Sequence, residues 1–193
     1  MEQTTLNILQ LCRNGSRALG PGLRYVIWVQ GCPFRCPHCE TPEGQSFEHN
    51  TIINVDLLAE DIITRPEIDG ITISGGEPFE QAKELATLLK IVHKERPELT
   101  VILYTGYLYE QLISVHAKAL LAELDLLIDG QYVHEQNDNK GIRGSSNQRL
   151  LFLSERLIDK EQELNNGKRK LEIIFQGSEY MVIGVLNNKK HKK

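Results

Sequence analysis

Nowhere in its 193 residues does the sequence contain a run of ~20 consecutive apolar residues, so it offers no segment that could cross a bilayer as a helix. The N-terminus also lacks the basic, apolar and small-residue order of a secretory signal, which predicts a cytoplasmic protein. Basic charge is scarce: 22 Lys and Arg stand against 26 Asp and Glu, for a net charge of -4. No broad cationic field is available for nucleic acid, and the terminal Lys189-Lys190-His191-Lys192-Lys193 reads as a solvated tail. Internal repeats and low-complexity segments are absent. With 40% hydrophobic and 25% charged residues, the chain suits one globular domain over 1–193.

Cysteine is sparse as well, with four in all, yet three of them fall in one stretch, Gly31-Cys32-Pro33-Phe34-Arg35-Cys36-Pro37-His38-Cys39. In a reducing cytosol, cysteines grouped this closely predict metal ligands and not disulfides. The C-x3-C-x2-C spacing places Cys32, Cys36 and Cys39 on one short loop, where they can bind a single metal centre. Structural zinc takes four protein ligands and an ordinary 4Fe-4S cluster takes four cysteines, so three leave one coordination position open. His38 could complete a Cys3His zinc site, although its adjacency to Cys39 makes the same tetrahedron awkward to reach. Cys12 lies in the apolar run 6–12 and reads as a small core hydrophobe.

Downstream, Gly70-Ile71-Thr72-Ile73-Ser74-Gly75-Gly76-Glu77-Pro78 reads as a buried strand entering a loop whose glycines permit close approach of backbone to a ligand. Strands are predicted over 6–12, 25–29, 71–74, 101–104, 124–128 and 150–153. Helices are predicted from Asn54, as a cap, to Arg65, over 80–96, over 110–123 and over 154–164. Residues 171–175 and 180–186 flank Gly177-Ser178 as a terminal β-hairpin. The βαβα alternation implies parallel strands with crossover helices, and the cluster loop starts at a strand's carboxyl end, where α/β sheets place ligands. The stretches 40–51 and 134–148 are predicted as polar loops.

Together, C-x3-C-x2-C and Gly75-Gly76-Glu77-Pro78 make the sequence resemble the radical S-adenosylmethionine (SAM) superfamily. In chain order, Gly20-Pro21-Gly22-Leu23-Arg24, Tyr104-Thr105-Gly106-Tyr107, Leu127-Ile128-Asp129-Gly130 and Arg143-Gly144-Ser145-Ser146-Asn147-Gln148-Arg149 narrow the resemblance. It is to the activating proteins of anaerobic ribonucleoside-triphosphate reductase, within the glycyl-radical-enzyme activases. The resemblance runs over about 6–153 and leaves 154–193 as a C-terminal extension. Two places after Cys39, where relatives commonly carry asparagine, this chain has Thr41.

The resemblance implies a partial (β/α)6 barrel with a 4Fe-4S cluster and SAM at its top. It implies that the reduced cluster cleaves SAM to methionine and a 5'-deoxyadenosyl radical, which generates a glycyl radical on the partner reductase. A low-potential donor such as flavodoxin or ferredoxin is the implied electron source. Cys32, Cys36 and Cys39 are the implied iron ligands, shielded by Phe34 and His38. Gly75, Gly76 and Glu77 are expected to meet the methionine end of SAM through their backbone, with Pro78 fixing the loop and Tyr104, Thr105 and Gly106 lining the pocket. Asp129 is expected near the methionine carboxylate, and Asn147, Gln148 and Arg149 near the ribose, the carboxylate or the partner. Plainer roles stay open: Glu77 as a helix N-terminal carboxylate, Asp129 as a loop cap, Arg149 as a structural ion pair. Two other functions also stay open, a small radical SAM enzyme acting on a small molecule or peptide, and a non-catalytic metal-binding module.

Overall fold

A computed structural model describes residues 4–176 and 179–187; the Gly177-Ser178 turn and the terminal lysine cluster lie outside the described residues. Strands β1 (Thr5–Ser16), β2 (Arg24–Val29), β3 (Thr51–Asn54), β4 (Gly70–Gly75), β5 (Thr100–Tyr104), β6 (Leu126–Asp129) and β7 (Arg149–Phe152) form one sheet. Its order is β3-β1-β2-β4-β5-β6-β7. Helices α1 (Val55–Ile63), α2 (Ala82–Glu95) and α3 (Val115–Leu121) are the crossovers, and α4 (Glu161–Asn166) precedes a separate hairpin of β8 (Glu172–Gln176) and β9 (Glu179–Ile183).

The sheet departs from a run of identical βα units. β2, β4, β5 and β6 are mutually parallel, whereas β1 and β7 run antiparallel to their neighbours, as does β3 to β1. The reason lies in the connections: β1 reaches β2 through 17–23 and β6 reaches β7 through 130–148, neither of which contains an α-helix that could carry the chain back across the sheet. β3 and β7 are the two edges, so among the described residues the sheet is open and no closed barrel forms.

Local chemistry sets the helices. Asn54 caps α1 as predicted, its Oδ1 accepting from Asp56 N (2.8 Å) and Leu57 N (3.2 Å). α2, predicted over 80–96, buries Leu85, Leu89 and Val92 along one apolar stripe. The helix expected over 110–123 shrinks to α3, because Ser114 accepts from Ala117 N (3.0 Å) and starts it there. The helix expected over 154–164 is a 3-10 turn, Glu155–Lys160, followed by α4.

β2 is buried along its whole length because both faces are covered. Tyr25, Ile27 and Val29 pack with α1 and α2, while Val26 and Trp28 pack with Met181, Ile183 and Val185 of the C-terminal hairpin and the residues after it. A third apolar group joins Ile102, Leu126 and Ile128 to Leu157 and Leu164. Leu157, Leu164, Met181, Ile183 and Val185 therefore cover the sheet face opposite the crossover helices.

Arg24 is fully buried at the amino ends of β2, β4 and β5. It donates to Thr72 Oγ1 (2.7 Å), Ile71 O (2.6 Å), Thr100 O (2.8 Å), Thr100 Oγ1 (3.0 Å) and Pro21 O (3.2 Å). Burial pushes its guanidinium down to about 10. The Gly20-Pro21-Gly22-Leu23-Arg24 motif thus secures the floor of the sheet, at the end away from the cysteines.

Candidate metal and cofactor site

The cysteine loop leaves the carboxyl end of β2. Gly31 N donates to Gly44 O (2.8 Å), and Gln30 Nε2 donates to Glu43 O (2.9 Å) and Ser46 O (2.7 Å), so the following segment braces the loop. Arg35 (φ 47°) and His38 (φ 56°) adopt left-handed backbone, which costs free energy for non-glycine residues and clusters at functional loops. Phe34 lies against Gly106, where an added Cβ would come within 2.5 Å of its ring, and meets Tyr107 edge-on at 4.7 Å between centroids. His38 is exposed and packs on the His134 ring at 4.4 Å.

Cys32, Cys36 and Cys39 are unpaired and half-buried. Burial pushes the Cys32 and Cys36 thiols up, partly offset by backbone hydrogen bonds from Phe34 to Cys32 and from Tyr132 to Cys36. Thiols held up in this way become thiolates by binding a metal, which displaces their protons. Among the described residues no three His, Cys, Asp or Glu side chains close on one ion position. Three thiolates on one loop can each take a separate iron of a 4Fe-4S cluster.

β4 delivers Gly75-Gly76-Glu77-Pro78 beside that loop. Gly76 N donates to Val29 O and Glu77 N to Gly31 O, each at 2.7 Å. A Cβ on Gly76 would sit 2.3 Å from Gly31 O, so glycine is required for the two segments to touch. Thr41 Oγ1 donates to Gly75 O (3.0 Å), tying the end of the cysteine loop to the same turn. The Glu77 carboxylate is buried, accepting from Thr105 Oγ1 (2.8 Å), Gly106 N (2.8 Å) and Phe79 N (3.0 Å). Burial pushes it up to about 7 against these bonds.

These pieces enclose a cavity of about 620 Å³, within the size range of small-molecule sites. Its wall includes Cys32, Cys36, Cys39, Phe34, Gly75, Gly76, Glu77, Tyr104, Thr105 and Gly106. The remaining wall brings in Leu9, Trp28, Tyr132 and Gln148, and from the C-terminal extension Val182, Val185 and Leu186. Leu186 N donates to Glu40 Oε1 (3.0 Å), and Leu186 O accepts from Arg169 Nη1 (2.8 Å), which pins that extension across the cysteine end.

Residues 18–151 match the family model described as a 4Fe-4S single cluster domain. The anaerobic ribonucleoside-triphosphate reductase-activating protein of Enterobacteria phage T4 is 33% identical over 139 residues, covering 68% of this chain and 85% of its own. The protein of the same name from Haemophilus influenzae is 32% identical over 137 residues, covering 67% of this chain and 87% of its own. The chain belongs to the reductase-activating protein family. It is therefore a radical SAM activating enzyme, and a pyruvate formate-lyase-activating enzyme of Staphylococcus epidermidis is similar too, at 28% identity over 74% of this chain and 60% of its own.

Within this activating enzyme, the structure does not bring Pro78, His38, Asp129, Asn147 or Arg149 to the cavity wall. Asp129 is buried behind it, its Oδ1 accepting from Arg149 Nε (2.9 Å) and its Oδ2 from Tyr109 N (2.8 Å). Arg149 also pairs with Glu110 at 2.8 Å, and Asn147 Nδ2 donates to Gln131 O (2.9 Å). Gln148 does reach the wall, and it staples Gly130 O (2.8 Å) to Gly144 N (2.8 Å). Sequence reasoning missed Trp28, Tyr132 and the wall residues of the extension. Only Trp28 gave a signal, as the single tryptophan on the strand that carries the cysteines.

Proposed function

We propose that this chain binds one 4Fe-4S cluster through Cys32, Cys36 and Cys39, takes SAM in the adjoining cavity, and activates an anaerobic ribonucleoside-triphosphate reductase by forming a glycyl radical on it. The observation that carries the reading is the meeting, on one cavity wall, of three unpaired thiols with the Gly75-Gly76-Glu77 and Tyr104-Thr105-Gly106 turns. When bound, cluster and SAM supply a one-electron cleavage that yields a 5'-deoxyadenosyl radical able to abstract hydrogen from glycine.

The protein's own groups position and seclude. Backbone N–H groups at Gly76 and Glu77 are engaged by Val29 and Gly31, so what this turn can offer a ligand ammonium is carbonyl oxygen. Glu77 acts from behind, holding the Thr105–Gly106 turn against the glycine turn. Leu9, Trp28, Phe34 and Val185 give the cavity an apolar lining that excludes water. In this reading the sheet, open at β3 and β7, is the partial (β/α)6 barrel that the resemblance implies, a low-potential donor such as flavodoxin or ferredoxin supplies the electron, and the setting is cytoplasmic.

The test is anaerobic reconstitution with iron and sulfide, then addition of a strong reductant, SAM and the anaerobic reductase of the same genome. Expected are 5'-deoxyadenosine by chromatography and a glycyl doublet by electron paramagnetic resonance. Zinc without sulfide in protein from iron-replete cells would remove the cluster. Cleavage with no radical on the reductase would leave a different target, a pyruvate formate-lyase or a small substrate.

A further inference from the structure

The C-terminal hairpin has two apolar faces, and only one is used. Met181 and Ile183 turn inward onto Val26 and Trp28 and are buried. On the other face the directly opposed pairs Ile173 with Val182 and Phe175 with Tyr180 form a block of four large side chains, exposed by 61%, 47%, 75% and 68% respectively. Isolated exposed hydrophobic residues are ordinary, but four contiguous ones on a small two-stranded sheet mark an interaction surface. Among the described residues no third strand joins β8 or β9, so backbone groups along the hairpin edges are also available.

The position of this block selects its occupant. Val182 belongs both to the exposed block and to the cavity wall, and Leu186, beyond the end of β9 and 46% exposed, lines the same wall. The outer face of the hairpin is therefore a shelf continuous with the cavity's rim. From this continuity, and resting on the function proposed above, we infer that the outer face of β8–β9 is the docking surface for the polypeptide whose glycine is activated. It takes an extended apolar segment flanking that glycine. A flanking segment held on the shelf leaves the adjoining glycine at the mouth, free to enter the cavity, and its backbone can add to a hairpin edge while apolar side chains cover Phe175 and Tyr180. A second copy of this chain would cover the same block but would have no cause to sit where the cavity opens.

The test uses the full-length reconstituted enzyme and the Phe175→Ser/Tyr180→Ser double variant, neither position lying on the cavity wall. Iron content and reductant-driven SAM cleavage without reductase are expected to match wild type. The reductase concentration giving half-maximal glycyl radical should rise by roughly tenfold or more, the loss expected when two aromatic anchors leave an interface. Phe175→Leu/Tyr180→Phe should restore most of it, which separates apolar contact from collapse of the hairpin. Should the serine pair lose iron, Ile173→Lys is the replacement, judged by the same shift. An unchanged concentration dependence overturns the docking surface alone. A wild-type dimer in sedimentation that the serine pair dissociates, with reductase activation unaltered, overturns it in favour of a second copy. Wild-type enzyme that cleaves SAM but leaves the reductase without a radical overturns the underlying reading, and the docking surface with it.

Discussion

The Glu77 carboxylate is buried with three hydrogen-bond donors and, among the described residues, no Lys or Arg paired with it. Burial wins over those bonds and pushes the group up to about 7, from an ordinary value of 4.5. An acid raised on folding binds more protons folded than unfolded between these values. Its stabilising effect is thus full below about 4.5 and is lost as pH climbs through about 7. For the cluster-free protein, where iron–sulfur bonds do not enter, wild type should lose roughly 2–3 kcal/mol relative to Glu77→Gln across that window. Urea titrations at pH 4.5 and 7.5 measure the difference. Parallel losses in the two proteins would show that Glu77 stays ionised throughout. In sequence Glu77 was legible as part of a ligand loop; its carboxylate partners, Thr105 and Gly106, are far along the chain and no local pattern announces them. Asp129 and Arg149 show the same limit, since their pairing depends on β6 and β7 being neighbours.

At the scale of elements, the cysteine loop and the glycine turn act as one unit. Gly76 touches Gly31 backbone so closely that even one methyl group must force the segments apart. Backbone on both sides leaves no flexible side chain to yield, and such overpacking typically costs ~1–3 kcal/mol or more. Gly76→Ala is therefore expected to lower iron incorporation together with SAM cleavage, since the strain falls on the strand end that carries Cys32. Iron per chain after reconstitution checks this. Full iron loading with cleavage alone abolished would instead place the demand for glycine on ligand approach. The motif residues and most helix starts were legible because their signals are local: cysteine spacing, the Asn54 cap, the α2 stripe. Strand direction was not, because apolar periodicity is identical for parallel and antiparallel neighbours, and the four-residue edge strand β3 is too short to show a period.

For the whole molecule, the segment least constrained by sequence reading is the one that completes both the core and the cavity. The family match ends at residue 151, yet Met181, Ile183 and Val185 are buried against Val26 and Trp28. Each fully buried side chain of this kind contributes ~1.5–3 kcal/mol, so the three together hold about 5–9 kcal/mol, comparable to the net stability of a whole domain. A chain ending at Lys170 would therefore expose one face of β2 and is expected to lose its cooperative thermal transition, or to retain it tens of degrees lower. Trp28 is the single tryptophan and is 8% exposed, so its emission reports this face directly and should shift to the red in the truncated chain. The shift should appear without any change to the cysteine loop's sequence, and iron loading should fall with it because Leu186 no longer bonds Glu40 beside Cys39. A truncated chain that melts within a few degrees of full length and keeps blue emission would show that β2 holds its burial without the hairpin, and that the extension serves the cavity rim alone.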